Sequence, residues 1–189
     1  RKGLQYLLKL TNFTYSGVAE VRAKILPALN IWRAKKHINP LYKFLTENSE
    51  RKASEMAKNF LADAQERSRI LKEITEEAQK RISLSEPIIF EGDHSWPLIF
   101  TGVVASRLCQ KYKKPTFIYK KGKEESPGAV RTPKGLDCVK AMDACKEYLL
   151  SYGGHPPAGG FRVKNKDLEK FKNCLINYFL SLPQDGFKR

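Results

Sequence analysis

An eight-residue segment from residue 153 to 160, with the sequence GGHPPAGG, constrains the fold of this chain more than any other stretch. Its glycines and prolines cannot continue a helix, and they are unsuited to a central strand. Glycine permits positive φ and lets a ligand approach backbone N–H groups, which can line an anion-binding concavity. His155 lies in the middle, where it can donate to a phosphate oxygen or move a proton. The segment predicts a phosphate- or nucleotide-contacting loop, with an ordinary helix-to-strand connection as the alternative.

A long segment without glycine or proline, from about residue 49 to 82, is the second constraint. Its apolar residues recur mainly at spacings of three, four and seven, which is the pattern of one helical face. At 1.5 Å per residue such a helix would reach roughly 50 Å, longer than a typical globular helix. The pattern predicts a connector between two lobes. A coiled-coil dimer is the alternative, but the apolar seam is too irregular for a strict heptad.

Helical patterns precede this connector, and strand-like runs alternate with helices after it. Strands are predicted at 87–90, 115–119, 128–132 and 161–163, and helices at 96–112, 137–150 and 167–182. Alternation of strands and helices indicates an α/β layer architecture. The predicted fold is an N-terminal helical region (1–48), one long connector helix (49–83) and a compact mixed-sheet α/β domain (84–189).

The charge of the chain favours a polyanionic partner. Thirty-five Lys and Arg against 20 Asp and Glu give a net charge of +15, and 41% hydrophobic residues are typical of a folded protein. Nucleic acid is the leading candidate for the partner, ahead of an acidic membrane surface. No apolar run is long enough to cross a membrane, so we expect no membrane partner and a cytoplasmic location.

Side chains that hold metals or carry other catalytic chemistry are sparse in this sequence. The four cysteines are scattered without a Cys-x-x-Cys pair, which predicts a reduced chain without disulfides or a zinc site. Asp93–His94 is the one adjacent acid–histidine pair, and a pair in a loop is more typical of a turn than of a metal site. The P-loop, nucleophile-elbow and dinucleotide-binding motifs are absent. We therefore expect this chain itself to bind no metal.

Basic residues occur where they can meet phosphate. Arg131 follows the small pair Gly128–Ala129 in a strand-like segment, where its guanidinium can bind a terminal phosphate and Thr132 can add a hydroxyl. A solvent-facing strand arginine is the alternative, as a helix-surface charge is for Arg107. Basic pairs near aromatic residues suit single-stranded nucleic acid; they are Lys35–Lys36, Lys113–Lys114 and Lys120–Lys121, with Trp32, Tyr42, Tyr112 and Tyr119 nearby.

Several of these stretches resemble the DHH-family phosphoesterases, and specifically the C-terminal part of the RecJ-like single-strand exonucleases. Residues 153–160 are similar to the Gly-Gly-His-x-x-Ala-Ala-Gly signature of the DHHA1 domain. Residues 102–108, GVVASRL, are similar to the RecJ helix Gly-Ile-Val-Ala-Ser-Arg-Leu, and residues 128–132 align with Gly-Ser-x-Arg-Ser. Residues 27–30 and the connector resemble the interdomain region of the family, so the resemblance covers nearly the whole chain.

The resemblance implies a two-lobed, metal-dependent enzyme that hydrolyses single-stranded DNA, or RNA, from the 5′ end. An N-terminal DHH lobe, expected to be absent here, would hold Mn or Mg, and a DHHA1 lobe would grip the strand. His155 would contact the substrate phosphate and assist those metals, and Arg131 would bind the 5′-terminal phosphate. The implied nucleic-acid-binding set is Gly153, Gly154, Arg131, Thr132 and Arg107. We expect the chain alone to bind nucleic acid without cutting it, with replication or repair proteins as further partners.

The chain also departs from the family pattern. Ala129 replaces the serine of Gly-Ser-x-Arg, Gly159 replaces an alanine of the signature, and residues 30–34 lack the glycine of Asn-Ala-x-Gly-Arg. Two alternatives therefore stay open: a non-catalytic DNA-binding scaffold of the replication machinery, and a phosphodiesterase for short oligonucleotides or cyclic dinucleotides. The long connector and the charge of +15 favour a polymer. DNA or RNA preference, cleavage polarity, metal identity and oligomeric state stay open.

Overall fold

The computed structural model describes residues 2–14, 16–30 and 40–183. It divides into two compact units, residues 1–70 and 71–189, which are described separately. The boundary between the units falls inside a helix, so the division into regions at residues 48 and 83 remains a prediction. Trp32 and the pair Lys35–Lys36, which the sequence associates with nucleic acid, lie outside the described residues.

Unit 1 is helical, as the sequence predicts. Its elements are α1 (Lys2–Leu10), α2 (Val18–Glu20), a π-helical stretch (Val21–Ile25), α3 (Leu26–Leu29), α4 (Pro40–Thr46) and the first part of α5 (Glu50–Arg81). The core holds Leu7 and Ile25, and the rings of Phe44 and Phe60 meet edge-on at 4.9 Å between centroids. Arg67 of α5 donates to the Pro27 and Asn30 carbonyls at 3.0 and 2.7 Å. These bonds satisfy carbonyl groups that the end of α3 leaves without helical partners.

The 32-residue helix α5 confirms the long helix predicted from residue 49 to 82. Its C-terminal end belongs to unit 2, where it is tied to the loop that precedes α6 (Leu98–Tyr112). Arg81 donates to Asp93 at 3.1 Å and lies 5.5 Å from the ring centroid of Trp96. The indole N–H of Trp96 donates to Glu77 at 2.9 Å, so the buried indole also has its polar atom satisfied.

Unit 2 is built on a five-stranded sheet with the order β1-β2-β3-β5-β4. The strands are β1 (Ile89–Asp93), β2 (Thr116–Lys120), β3 (Glu125–Arg131), β4 (Leu149–His155) and β5 (Ala158–Lys164). Strands β1 and β2 are parallel, and the other pairs are antiparallel. The mixed sheet and its helices confirm the predicted α/β fold class.

Helices α7 (Cys138–Ala144) and α8 (Leu168–Ser181) cover one face of this sheet, and α6 packs against β2 and β3. Short 3₁₀ segments, Lys146–Tyr148 and Asn165–Asp167, complete the elements. Phe117, Phe161 and Phe171 form an aromatic centre under α8, with ring centroids 5.5 to 6.1 Å apart. Gly128 makes room for it, since a Cβ there would lie 2.4 Å from the Phe161 ring.

The glycine-rich segment is not the loop that the sequence predicts. The helix predicted to reach residue 150 ends at Ala144, and residues 149–164 form the hairpin of β4 and β5. The prediction that residues 153–160 are unsuited to a central strand is wrong, because Gly159 and Gly160 lie in β5, an interior strand. A Cβ at Gly159 would lie 2.8 Å from the Gly153 carbonyl and 3.0 Å from Met142 Cε. Close packing of α7 on the strand requires glycine there.

The prediction of a chain without disulfides is also wrong. Cys145 and Cys174 are joined, with their Cα atoms 5.9 Å apart, although 29 positions separate them in the sequence. The end of α7 packs against α8, and this contact is not visible in cysteine spacing. Cys109 and Cys138 are free and buried. Within the described ranges, no helix combines the length and apolarity needed to cross a bilayer.

Candidate nucleic-acid interface

The turn between β4 and β5 consists of Pro156 and Pro157. The carbonyls of both prolines accept hydrogen bonds from Thr132 or Cys138. Thr132 donates its N–H to the Pro157 carbonyl at 3.1 Å and its hydroxyl to the Pro156 carbonyl at 2.9 Å. The N–H of Cys138 donates to the same Pro156 carbonyl at 2.9 Å. Proline has no N–H group, so these two residues cannot supply an anion-binding nest. The turn is instead a fixed support for the residues beside it.

His155 ends β4 at this turn, where a hydrogen bond holds its carbonyl and a glycine precedes it. The Cys138 thiol donates to the His155 carbonyl at 3.2 Å. Burial, and then the nearby Asp137 carboxylate, raise the pKa of Cys138 to about 11, so the thiol keeps its proton at neutral pH. Gly154 has φ 145°, and a Cβ there would lie 2.4 Å from the Ala158 carbonyl oxygen. Only glycine fits this backbone.

One side of the β4–β5 hairpin is exposed and carries little side-chain bulk near the turn; it is here called the open face. The ladder aligns Arg131 with Ala158 and Ala158 with His155, and cross-strand partners share a sheet face. The next row, Ala129, Gly160 and Gly153, has almost no side-chain bulk. The exposed residues of the open face are Ser151, Gly153, His155, Gly160, Arg162 and Lys164. A ligand can therefore reach the sheet backbone at this surface.

Arg131 lies at the margin of the open face, half-buried against α6. A Cβ on Gly102 of α6 would lie 3.2 Å from Arg131 Nη2, so the glycine makes space for the guanidinium. Arg131 Nη1 donates to the Val130 carbonyl at 2.8 Å. In the part of the chain that the structure describes, no carboxylate pairs with Arg131, whereas Arg162 is paired with Glu125. A half-buried, oriented guanidinium without an acidic partner is suited to bind an anion.

The structure brings together some of the predicted site residues and separates others. Arg131, Gly153 and His155 lie on one sheet face. Thr132 is 7% exposed, and its hydroxyl is bonded to the Pro156 carbonyl. Direct phosphate binding by Thr132 remains a prediction, and it would require that bond to be exchanged. Arg107 is exposed on α6, about 140° around the helix axis from Gly102, which faces Arg131.

Sequence reasoning missed residues that support or extend this surface. Gly102 and Cys138 act through packing and hydrogen bonds, which single-residue patterns do not show. Arg162 and Lys164 lie on the open face of β5, two and four residues beyond Gly160. The alternation of buried Phe161 and Val163 with these cations is a period-two strand signal that could have located them.

The structure gives the Asp93–His94 pair a role in a turn. Asp93 accepts hydrogen bonds from the Ser95 N–H at 2.9 Å and from Arg81 at 3.1 Å. These bonds lower the pKa of Asp93 to about 2. Among residues 2–14, 16–30 and 40–183, no three potential ligands converge as a metal site would need. The described residues therefore do not fit the metal centre of the DHH family.

Known proteins match this chain in sequence and in structure, although no family model matches it. The single-stranded-DNA-specific exonuclease RecJ of Bacillus subtilis is 25% identical over 182 residues, which are 93% of this chain and 23% of that protein. A crystal structure of exonuclease RecJ bound to manganese matches 100% of this chain and 48% of that one, with a TM-score of 0.87 and 21% identity. The chain is thus similar to RecJ in sequence and in fold.

A second solved RecJ structure also has the fold of this chain. RecJ of Thermus thermophilus in complex with Mg²⁺ matches 96% of this chain and 29% of that one, with a TM-score of 0.84 and 22% identity. The resemblance to RecJ inferred from residues 102–108 and 153–160 is confirmed. The chain spans about a quarter of the length of the curated RecJ that it matches. The comparisons do not favour the scaffold or the cyclic-dinucleotide alternative.

Proposed function

We propose that this chain is the nucleic-acid-binding part of a RecJ-like, metal-dependent 5′ exonuclease for single-stranded DNA. The observation that carries the proposal is Arg131, a half-buried guanidinium without a carboxylate partner in the described residues, beside the row of Ala129, Gly160 and Gly153, which has almost no side-chain bulk. The DNA-specific nuclease RecJ of Bacillus subtilis supports the choice of single-stranded DNA. The substrate strand lies along the open face, with its terminal phosphate on Arg131.

Arg131 binds the phosphate through a guanidinium whose orientation is already fixed. The bond from Nη1 to the Val130 carbonyl and the space beside Gly102 hold the group before the ligand arrives. The remaining N–H groups form the planar fork that matches two phosphate oxygens. The bare row at Ala129, Gly160 and Gly153 lets the sugar–phosphate backbone approach the sheet.

His155 lies on the far side of β5 from Arg131 and contacts a further phosphate. One strand, β5, separates the strands that carry the two residues, so their backbones are about 10 Å apart. The exposed imidazole can donate a hydrogen bond to a phosphate oxygen. Thr132 and Cys138 are positioning residues, because they hold the turn and the His155 carbonyl.

The metal ions of the enzyme come from another part of the protein. RecJ structures contain manganese or Mg²⁺, and the described residues here supply no fitting ligand set. We infer that a DHH lobe supplies the metal ions, and no catalytic step is assigned to a metal held by this chain. The chain alone then binds nucleic acid without cutting it. A role in DNA repair or replication and a cytoplasmic location belong to the same proposal.

The proposal predicts a preference for a 5′-phosphorylated end. Fluorescence anisotropy with 12-nucleotide single strands that carry a 5′-phosphate or a 5′-hydroxyl measures it at two salt concentrations. We expect about 5- to 30-fold tighter binding of the phosphorylated strand, since a charge-assisted hydrogen bond contributes about 1–2 kcal/mol. Arg131→Ala should abolish the preference.

Arg51→Ala removes the same charge from an exposed position on α5 and is the matched control. It should lower both affinities slightly and keep the preference. Equal affinity for both ends in the unsubstituted chain, varying with salt alone, would contradict the proposal and indicate general electrostatic binding.

A further inference from the structure

A second basic surface lies at the other end of β5 from the turn. It is a concavity of ≈ 570 Å³, here called the lysine concavity. Its lining residues are Lys123, Glu124, Glu125, Leu150, Lys164, Asn165 and Lys166. None of these residues belongs to the Arg131–His155 row described above, so the concavity needs its own explanation.

Asn165 directly follows β5 and links the end of this strand to the β2–β3 turn at the lysine concavity. Its side-chain N–H₂ donates to the Gly122 and Lys123 carbonyls at 2.9 and 3.0 Å, and its backbone N–H donates to the Glu124 carbonyl at 2.9 Å. Its side-chain oxygen accepts from the buried Ser126 hydroxyl at 2.7 Å. The β2–β3 turn is thereby fixed against the end of β5. Lysines of both segments therefore line one concavity.

The cations of the lysine concavity are available to a ligand. Lys123, Lys164 and Lys166 are exposed, and in the described ranges none of them forms an ion pair. Glu125 is engaged by Arg162, which leaves the exposed Glu124 as the opposing charge. Positive charge therefore dominates the site, and such a site attracts phosphate groups.

Strand β5 connects the lysine concavity to the phosphate site. Its open-face residues run from Ala158 beside Arg131, through Gly160 and Arg162, to Lys164 in the concavity. Six residues of strand span about 20 Å, the reach of a few nucleotides in an extended strand. Small residues come first and cations follow, so a polyanion bound at Arg131 can continue along the sheet. Leu150, 46% exposed, adds apolar surface on which a base can pack.

We propose that the lysine concavity is a second phosphate-binding subsite for single-stranded nucleic acid, several nucleotides from the end held at Arg131. The inference rests on the proposed function for its direction along β5. Its ligand is the sugar–phosphate backbone, so it carries no sequence preference. It makes affinity depend on strand length and leaves the recognition of the terminal phosphate to Arg131.

The test compares two ligands and two triple variants. The ligands are a 5′-phosphorylated dinucleotide, too short to reach the concavity, and a 12-nucleotide single strand. Lys123→Gln/Lys164→Gln/Lys166→Gln removes the subsite. Lys80→Gln/Lys140→Gln/Lys146→Gln removes the same charge from exposed positions elsewhere in unit 2. Affinities are measured over a range of salt concentrations, and melting temperatures confirm that both variants fold.

We expect the subsite variant to bind the 12-nucleotide strand about ten-fold more weakly. The slope of log affinity against log salt should fall by about two, since each lost contact with single-stranded phosphate changes it by about 0.7. Dinucleotide affinity and the preference for a 5′-phosphate should not change. The control variant should show a much smaller change in slope.

Equal losses in the two triple variants would overturn the inference, as would an equal loss for the dinucleotide and the longer strand. Unchanged DNA binding would also overturn it and would make an acidic protein the next candidate ligand. Failure of the proposed function would give a different result: the unsubstituted chain would show no preference for a 5′-phosphate, whatever the affinities of the triple variants.

Discussion

Gly153 and Gly154 are adjacent in β4, but the structure requires glycine at only one of the two positions. Gly154 has φ 145°, and a Cβ there would collide with the Ala158 carbonyl. Gly153 faces open space: within the described residues, a Cβ there would meet no heavy atom inside 4 Å. Gly154 is thus required by the hairpin itself, whereas Gly153 leaves room at the surface that we propose for nucleic acid.

Gly154→Ala should therefore destabilise the chain, and Gly153→Ala should not. We expect Gly154→Ala to lower the free energy of unfolding by about 2 kcal/mol or more, from backbone strain and the carbonyl contact. Gly153→Ala should change it by less than about 1 kcal/mol. Urea unfolding of both variants measures the difference. Equal effects of the two substitutions would contradict the hairpin geometry.

The candidate site could be predicted from the sequence only in part. Sequence context and the family resemblance both single out Arg131 and His155, and the ladder places them on one face. Thr132 is adjacent to Arg131, yet its side chain is buried and bonded to the turn. Neighbours in a strand point to opposite faces, so adjacency in sequence does not place the Thr132 side chain beside the Arg131 guanidinium, and phosphate binding by Thr132 stays a prediction. The unpaired state of Arg131 depends on long-range packing and is not visible in the sequence.

Elements differ in how well the sequence predicts them. Helix α5 spans residues 50–81, close to the predicted 49–82, because a long apolar repeat without glycine or proline has few other solutions. The sequence predicts a loop where the structure has the hairpin of β4 and β5, because glycine signals close packing as well as turns. Gly159 under α7 is the example. Local patterns cannot separate these two uses of glycine.

The cross-link between α7 and α8 gives the second prediction for an element. Cys145 and Cys174 close a loop with a sequence separation of 29, and constraining such a loop in the unfolded chain contributes about 3–4 kcal/mol. Reductant should therefore lower the melting temperature by roughly 5–10 °C. In the non-reduced, denatured chain, alkylation should modify only Cys109 and Cys138.

Cys145→Ser/Cys174→Ser is the control, and its melting temperature should not respond to reductant. Alkylation of all four thiols in the non-reduced chain would show that the cross-link is absent.

At the scale of the whole molecule, charge and fold favour the same ligand. The net charge of +15 is far above what solubility needs, and part of it lies on the open face, at Arg131 beside the turn and at Lys164 at the other end of β5. The opposite face of the sheet is covered by α7 and α8. The two faces therefore differ in access, and only one suits an extended strand.

The most direct test of this account is an NMR titration of the ¹⁵N-labelled 21.6 kDa chain with a 5′-phosphorylated tetranucleotide. Amide shifts and broadening should concentrate at Arg131, Gly153, His155 and Gly160, while the amides of α8 stay unchanged. Arg131→Ala should remove the perturbations at the turn end of the open face. Shifts spread evenly over exposed lysines, or centred on α8, would contradict the claim that the open face is the nucleic-acid interface.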